Sequence, residues 1–203
     1  MLIHSQNLKD NQAYFLLTQT VIPRPIGWVL SDNGDKTYNF APFSFFNAVC
    51  GNPPMVILSI GWKSEEEKKD TWVNIDVRSN FVVHVPSSNE AETVVGTAAT
   101  LKFGESEVDA LKLKLIHDEG MPLPRVVGPK AVFYCVRTQI LELGHDPQGL
   151  IIGEVKHFWL DDSIVSTHND RLTIDYQKFD PLARLGGNAY SKLGNIWDVV
   201  RPK

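Results

Sequence analysis

The chain has 203 residues, a formal net charge of −4, and 43% hydrophobic and 22% charged residues. At this length about 70% of the extended chain's surface can be buried, so a full core needs no disulfide or metal staple. The mild acidity and the scattered Lys and Arg exclude the basic face that nucleic-acid binding requires.

No apolar run approaches the ~20 residues of a membrane span, and the start, Met1 to Asn7, has no basic region followed by an apolar stretch. The expected location is the cytoplasm, with no membrane partner. Cys50 and Cys135 lack any CxxC spacing and read as reduced, buried small hydrophobes.

In chain order, Leu8, Ala13, Tyr14, Leu16 and Leu17 fall at roughly helical spacing and predict a helix over about 8–20, with Asp10 and Asn11 as caps. Pro23 and Pro25 end it. Strand texture follows over 27–31, 38–49, 55–61, 81–85, 132–143 and 150–160. Asn33-Gly34 marks a hairpin turn between the first two. Helices are expected over 71–78, after Asp70-Thr71, and over 89–101 and 105–114. The Pro- and Gly-containing stretch 117–130 reads as a long loop within the same domain. Isolated helices among many strands favour a mainly β architecture, an antiparallel barrel with peripheral helices, over a doubly wound parallel sheet. The expectation is one domain over 1–203, with a barrel over about 24–160 and a closing segment over 161–203.

The common catalytic fingerprints are missing. The six histidines never pair at i,i+3 or i,i+4, so no zinc template appears, and there is no GxGxxG, GxxxxGK[ST] or GxSxG. The acids of Asp161-Asp162 and Glu65-Glu66-Glu67 lie in hydrophilic surroundings and read as solvated.

Four polar anchors remain in otherwise apolar sequence. Arg24, between two prolines, is a rigidly mounted donor fork that suits an anion, or a surface Arg in a stiff turn. In Asn39–Asn47, Pro42 is expected to interrupt a strand, and small and hydroxyl residues among four aromatics suit either a flat heteroaromatic pocket or plain core. Lys69-Asp70-Thr71 at a helix start is a phosphate site in miniature, or an ordinary cap. The double glycine 186–187 between Arg184 and Tyr190 allows close backbone approach, or is a simple turn.

In this order RPIGWV at 24–29, NFAPFSFF at 39–46, NPPMVILS at 52–59, KDTWVNI at 69–75, GLIIGEV at 149–155 and PLARLGG with Tyr190 at 181–190 resemble the flavin reductase-like FMN-binding proteins, a group that includes flavoredoxin. The resemblance runs from about Tyr14 to Tyr190. It implies an FMN-binding split β-barrel of antiparallel, Greek-key type, and a homodimer whose interface helps form the flavin sites.

By the same resemblance, Asn39, Ala41, Pro42, Phe43 and Ser44 lie along the isoalloxazine, and Arg24, Pro25 and Ile26 line that pocket. Lys69, Asp70 and Thr71 receive the FMN phosphate, and Arg184 and Gly186 close the site. Two departures from the commoner pattern are the bulky Phe40 and the charged stretch 64–68. The implied activity is an FMN-dependent oxidoreductase taking hydride from NADH or NADPH and passing electrons to free flavin, a ferric chelate, another small acceptor or a redox protein. No side-chain catalyst is then obligatory, because the cofactor carries the chemistry. The alternative is an FMN-binding electron carrier or sensor without a nicotinamide site. A pyridoxamine-phosphate oxidase-like or haem-handling barrel is disfavoured by RPIGWV and NFAPFSFF.

Overall fold

The computed structural model describes residues 1–202 apart from Asp10, Glu65, Asp146 and Asn169. The cap expected at Asp10 and the first acid of the 65–67 run therefore lie outside the described residues.

The main sheet contains β1 (Gly27–Asp32), β2 (Tyr38–Phe43), β3 (Phe46–Gly51), β4 (Pro54–Gly61), β5 (Asn80–Val85), β6 (Ala131–Leu143) and β7 (Gln148–Leu160). Their spatial order is β2-β1-β5-β6-β7-β4-β3, and every pairing is antiparallel. The two edge strands, β2 and β3, are separated in the chain only by Ser44 and Phe45. So short a connection obliges the sheet to curl until its edges approach. No ladder joins β2 to β3 among the described residues, which leaves a β-barrel split along that seam.

The barrel is filled from within and covered from without. Val29, Leu58, Phe81, Val83 and Ile151 form an inner cluster, joined by Trp72 and Ile75 of α2 (Asp70–Arg78), which follows α1 (Gln12–Thr20). Trp28, Leu30, Phe40, Val82 and Val132 form an outer one, covered by Val94 of α3 (Ala91–Gly96) and Val108 of α4 (Glu107–Ala110). β1 and β5 are thus buried on both faces, and burial on both faces yields unbroken apolar runs instead of alternation. Phe40 turns outward and stacks on Trp28 at 4.2 Å, so its bulk does not narrow the inner side. Gly149 lies under the Trp72 ring, where an added Cβ would sit 2.7 Å from the ring atoms, so α2 packs directly onto β7.

Several boundaries differ from expectation. The first helix begins at Gln12, not near residue 8, behind a short 3-10 turn at Ser5–Asn7. The hairpin between β1 and β2 uses a five-residue loop, because Asn74 and Arg78 of α2 bond Asn33 Oδ1 and Asn33 O at 2.9 and 2.8 Å and hold it open. The strand expected over 38–49 is two strands, broken at Ser44-Phe45 and not at Pro42. β2 runs through Pro42 opposite Trp28, an edge position that tolerates a missing N–H. The helix expected over 89–101 is a 3-10 turn, Ser88–Glu90, followed by α3. It stops at Thr97, whose hydroxyl accepts from Trp28 Nε1 at 2.8 Å. The helix expected over 105–114 shrinks to α4, with Lys112 left-handed at φ 52°. Cys135 is buried as expected, but Cys50 is exposed because β3 is a sheet edge.

After β7 the chain forms the hairpin Val165–His168 with Arg171–Ile174 and the short helix Tyr176–Phe179. It then returns to the beginning: Ala183–Arg184 pairs antiparallel with Arg24–Pro25 on one side and with Tyr190–Ser191 on the other. Among the described residues no helix is long and apolar enough to cross a membrane.

Candidate functional site

The start of α2 is tied to the edge strand by a short chain of buried polar side chains. Asn39 Nδ2 donates to Thr71 Oγ1 at 2.7 Å and approaches Ser31 Oγ at 3.3 Å, and Asn74 Nδ2 reaches the same Ser31 hydroxyl at 3.2 Å. Lys69 precedes the helix in extended conformation and makes no side-chain cap; its carbonyl, not its side chain, accepts from Trp72 N at 2.9 Å. Its ammonium stands 5.8 Å from the Phe43 ring centroid. Although Lys69 is exposed at the lip, the protein crowding its ammonium lowers it from the ordinary lysine value.

Asp70 is 6% exposed, and its Oδ1 has no hydrogen-bond partner among the described residues. The nearest cation, Lys63 Nζ, is 4.0 Å away and also lies 3.5 Å from Glu67 Oε1. Glu107, on α4, accepts from Phe40 N at 2.8 Å. Burial pushes both carboxyls above the usual range: Lys63 partly offsets this at Asp70, and the Asp70 charge adds to it at Glu107.

These groups border a cleft of about 570 Å³. Asn39, Ala41, Pro42 and Phe43 form one wall, Lys69 to Thr71 one end, and the segment 97–101 after α3 the opposite wall. A second cleft of about 900 Å³ adjoins it, sharing Pro42 and Ala98. Tyr14, Phe15 and Thr18 of α1 form one side of it, and Arg24, Arg184 and Tyr190 another.

Arg24 is 6% exposed and heavily committed. Its guanidinium donates to Thr18 O, to Val21 O at 3.1 Å, to Leu185 O at 2.9 Å and to Ser44 Oγ at 3.3 Å. One side chain thereby fastens α1, the β2–β3 corner and the returning C-terminal segment together. Desolvation is the main influence lowering its pKa, and Arg184 adds to it.

The structure brings Asn39, Ala41, Pro42, Phe43, Lys69, Asp70 and Thr71 to the first cleft and Arg24, Ile26, Pro42, Ser44 and Arg184 to the second. Pro25 is exposed and borders neither. Gly186 packs on Gln19, whose Cγ would lie 2.4 Å from an added Cβ. Sequence reasoning missed Lys63, Glu107, the segment 97–101 and the α1 side chains. Lys63 and 97–101 carry no motif, and Glu107 was hidden in a longer expected helix. Among the described residues no three His, Cys, Asp or Glu side chains gather as a metal site. The assembled groups can hold an anion at the α2 start and a flat ring along Ala41–Phe43.

The chain is similar over 99% of its length, at 33% identity, to an uncharacterized Bacillus subtilis protein, YwrF, of which it covers 98%. Among solved structures, component B of a nitrilotriacetate monooxygenase from Bacillus cereus superposes with a TM-score of 0.90 at 32% identity, covering 98% of each chain. The 2-nitrobenzoate 2-nitroreductase NbaA of Pseudomonas fluorescens superposes with a TM-score of 0.88 at 26% identity, covering all of this chain and 96% of that one. Residues 19–179 match the family described as flavin reductase like domain, and the chain belongs to that family.

Proposed function

We propose that the first cleft binds FMN and that the protein is an NAD(P)H-dependent FMN oxidoreductase. The observation that carries this reading is the placement of Lys69 and Thr71, at an uncapped helix start, at the end of a wall formed by Ala41, Pro42 and Phe43. There a helix start and its preceding lysine stand beside a flat apolar face. The orphaned Asp70 Oδ1 fits the same ligand, whose ribityl hydroxyls are donors in search of an acceptor.

When bound, FMN supplies a hydride-accepting N5 atom and a ring able to release electrons singly or in pairs. The chain's own residues do the rest. Thr71 Oγ1 accepts from Asn39, which leaves its own proton free for a phosphate oxygen. Lys69 adds charge, and the start of α2 adds the positive end of its dipole. Arg24 fixes the Ser44 hydroxyl at the corner where the two clefts meet. The segment 97–101 screens the ligand from water.

The proposed setting is the cytoplasm, and the proposed assembly is a homodimer. Leu17 and Val21 of α1 and its end are exposed, as are Phe45 and Val49 along the seam, an apolar surface that a second copy would bury. Likeness to a monooxygenase component and to a nitroreductase supports either a partner enzyme or a small organic molecule as electron acceptor.

Titration of the purified protein with FMN, followed by anaerobic mixing with NADH and with NADPH, tests the reading. Saturable FMN binding and rapid bleaching of the flavin band support the reductase. Binding without bleaching favours a carrier or sensor reduced by a partner protein. A protein with no affinity for FMN sinks both.

A further inference from the structure

Arg24 and Arg184 stand directly opposite each other in the antiparallel pairing of their strands, and both border the second cleft. Like charges in that relationship destabilise a ladder. Among the described residues no Asp or Glu borders this cleft, and neither arginine has an ion-pair partner. The two differ in what they have left to give. The Arg24 guanidinium is spent on three carbonyls and the Ser44 hydroxyl. Arg184 lies half-buried with its guanidinium carbon 4.4 Å from the Tyr190 ring centroid. One Nη bonds Gly187 O, and among the described residues its Nε and its other Nη have no hydrogen-bond partner.

Two uncompensated positive charges facing each other in a partly enclosed space, one with spare donors, form an arrangement that an anion relieves. Tyr14, Phe15 and Tyr190 supply aromatic surface beside it. The cleft also touches the first one at Pro42 and Ala98, so a molecule lying in it abuts the proposed flavin wall.

We propose that the second cleft is the subsite for the molecule that exchanges electrons with the flavin, and that Arg184 selects molecules carrying a carboxylate or phosphate beside a planar ring. Arg24 contributes field and holds the cleft's three walls in place, while Arg184 makes the direct contact. The inference rests on the FMN reading above for the identity of the neighbouring ligand, but the anion subsite itself is a property of the two arginines.

Benzoate and its neutral counterpart benzamide probe the subsite, read both calorimetrically on flavin-free protein and by perturbation of the flavin band on FMN-loaded protein. Wild type should bind benzoate at least about tenfold more tightly than benzamide, and Arg184→Gln should abolish that preference, in line with a charged hydrogen bond of about 1.5–3 kcal/mol. Arg184→Lys should restore part of it. KM for NADH and NADPH, measured in the same variants, separates the sources of the anion. A rise for the nucleotides alone identifies their phosphates, a loss of benzoate preference alone identifies a carboxylate-bearing acceptor, and both together identify a shared site. Unchanged benzoate preference and unchanged nucleotide KM would overturn the proposal. A wild-type protein that binds benzoate but not FMN would leave the anion site standing and overturn its role beside a flavin.

Discussion

Asn39 and Thr71, separated by 32 positions, are joined side chain to side chain by a buried hydrogen bond of 2.7 Å. The bond fastens the sheet's edge strand to the first turn of α2, so the flat wall and the charged end of the first cleft are set at a fixed distance from each other. The Thr71 hydroxyl takes its donor from Asn39, so a loss of Asn39 leaves a buried polar group alone.

Replacing Asn39 with Ala removes that tie and should cost about 1–3 kcal/mol of stability by leaving the buried Thr71 hydroxyl without its donor, while Ser31 keeps Asn74. FMN affinity should fall in parallel, measured by flavin titration under conditions where denaturant curves show the variant folded. An unchanged affinity would mean that the two walls are positioned independently.

The double variant Lys69→Ala, Thr71→Ala separates phosphate recognition from ring recognition. It should weaken FMN by about tenfold or more, as expected for losing two charge-assisted contacts, and leave riboflavin nearly unaffected. Equal weakening of both flavins, read in parallel fluorescence titrations, would remove the phosphate from this end of the cleft.

Gly149→Val places a side chain where the Trp72 ring lies, with the first added carbon 2.7 Å from it. Because Trp72 is in the first turn of α2, the helix must move. A loss of about 1–3 kcal/mol is expected from overpacking. The same change should reduce FMN affinity although residue 149 does not border the cleft. Urea denaturation and flavin titration read the two effects separately.

His84 is fully buried, with Nδ1 donating to Trp28 O at 3.1 Å and Nε2 accepting from Val126 N at 2.9 Å. Burial holds its pKa down to about 3 from an ordinary 6.5. Between those values the unfolded chain carries the extra proton, so this group's contribution to stability is full above pH 6.5. It declines as pH falls toward 3, by up to about 1.4 kcal/mol per pH unit. Asp70 and Glu107, whose pKa values are raised, act in the opposite sense. The measurement is therefore a comparison: His84→Gln should flatten the slope of unfolding free energy between pH 6.5 and 4.5 relative to wild type. Parallel slopes would contradict a neutral buried imidazole.

Light scattering should give a mass near twice that of one chain. Leu17→Lys with Val49→Lys, both at exposed apolar positions, should shift the protein toward the monomer without unfolding it. A wild-type monomer would sink the dimer proposal.

The strands were largely legible, because runs such as Met55–Ile60 and Phe81–Val85 combine branched apolar residues with bounding turn signals. What was illegible depends on partners distant in the chain. Nothing near Asn33 announces that Asn74 and Arg78 will hold its loop open, and nothing near Thr97 announces that its hydroxyl will accept from the Trp28 indole. The exposure of Cys50 follows from the edge position of β3, which is a property of the whole sheet. Within the site, Lys69 to Thr71 were readable because a helix start has its own chemistry. The use of Arg24 was not, since three of its acceptors are carbonyls that any residue could provide, one of them on a segment that returns from the far end of the chain.

The seam between β2 and β3 also bears on how the chain folds. Its corner is local, but the ladder that completes the sheet beside it pairs Ile57 with Ile152, and the strand before the cleft reaches its C-terminal neighbour through Arg24 and Arg184. Pairings so remote in sequence carry a large loop-closure cost and slow the search for them. The second cleft needs the Arg24–Arg184 pairing, so it does not exist in a half-folded chain. A ligand of that cleft consequently recognises only the finished fold, and its binding adds to the stability of that fold by mass action.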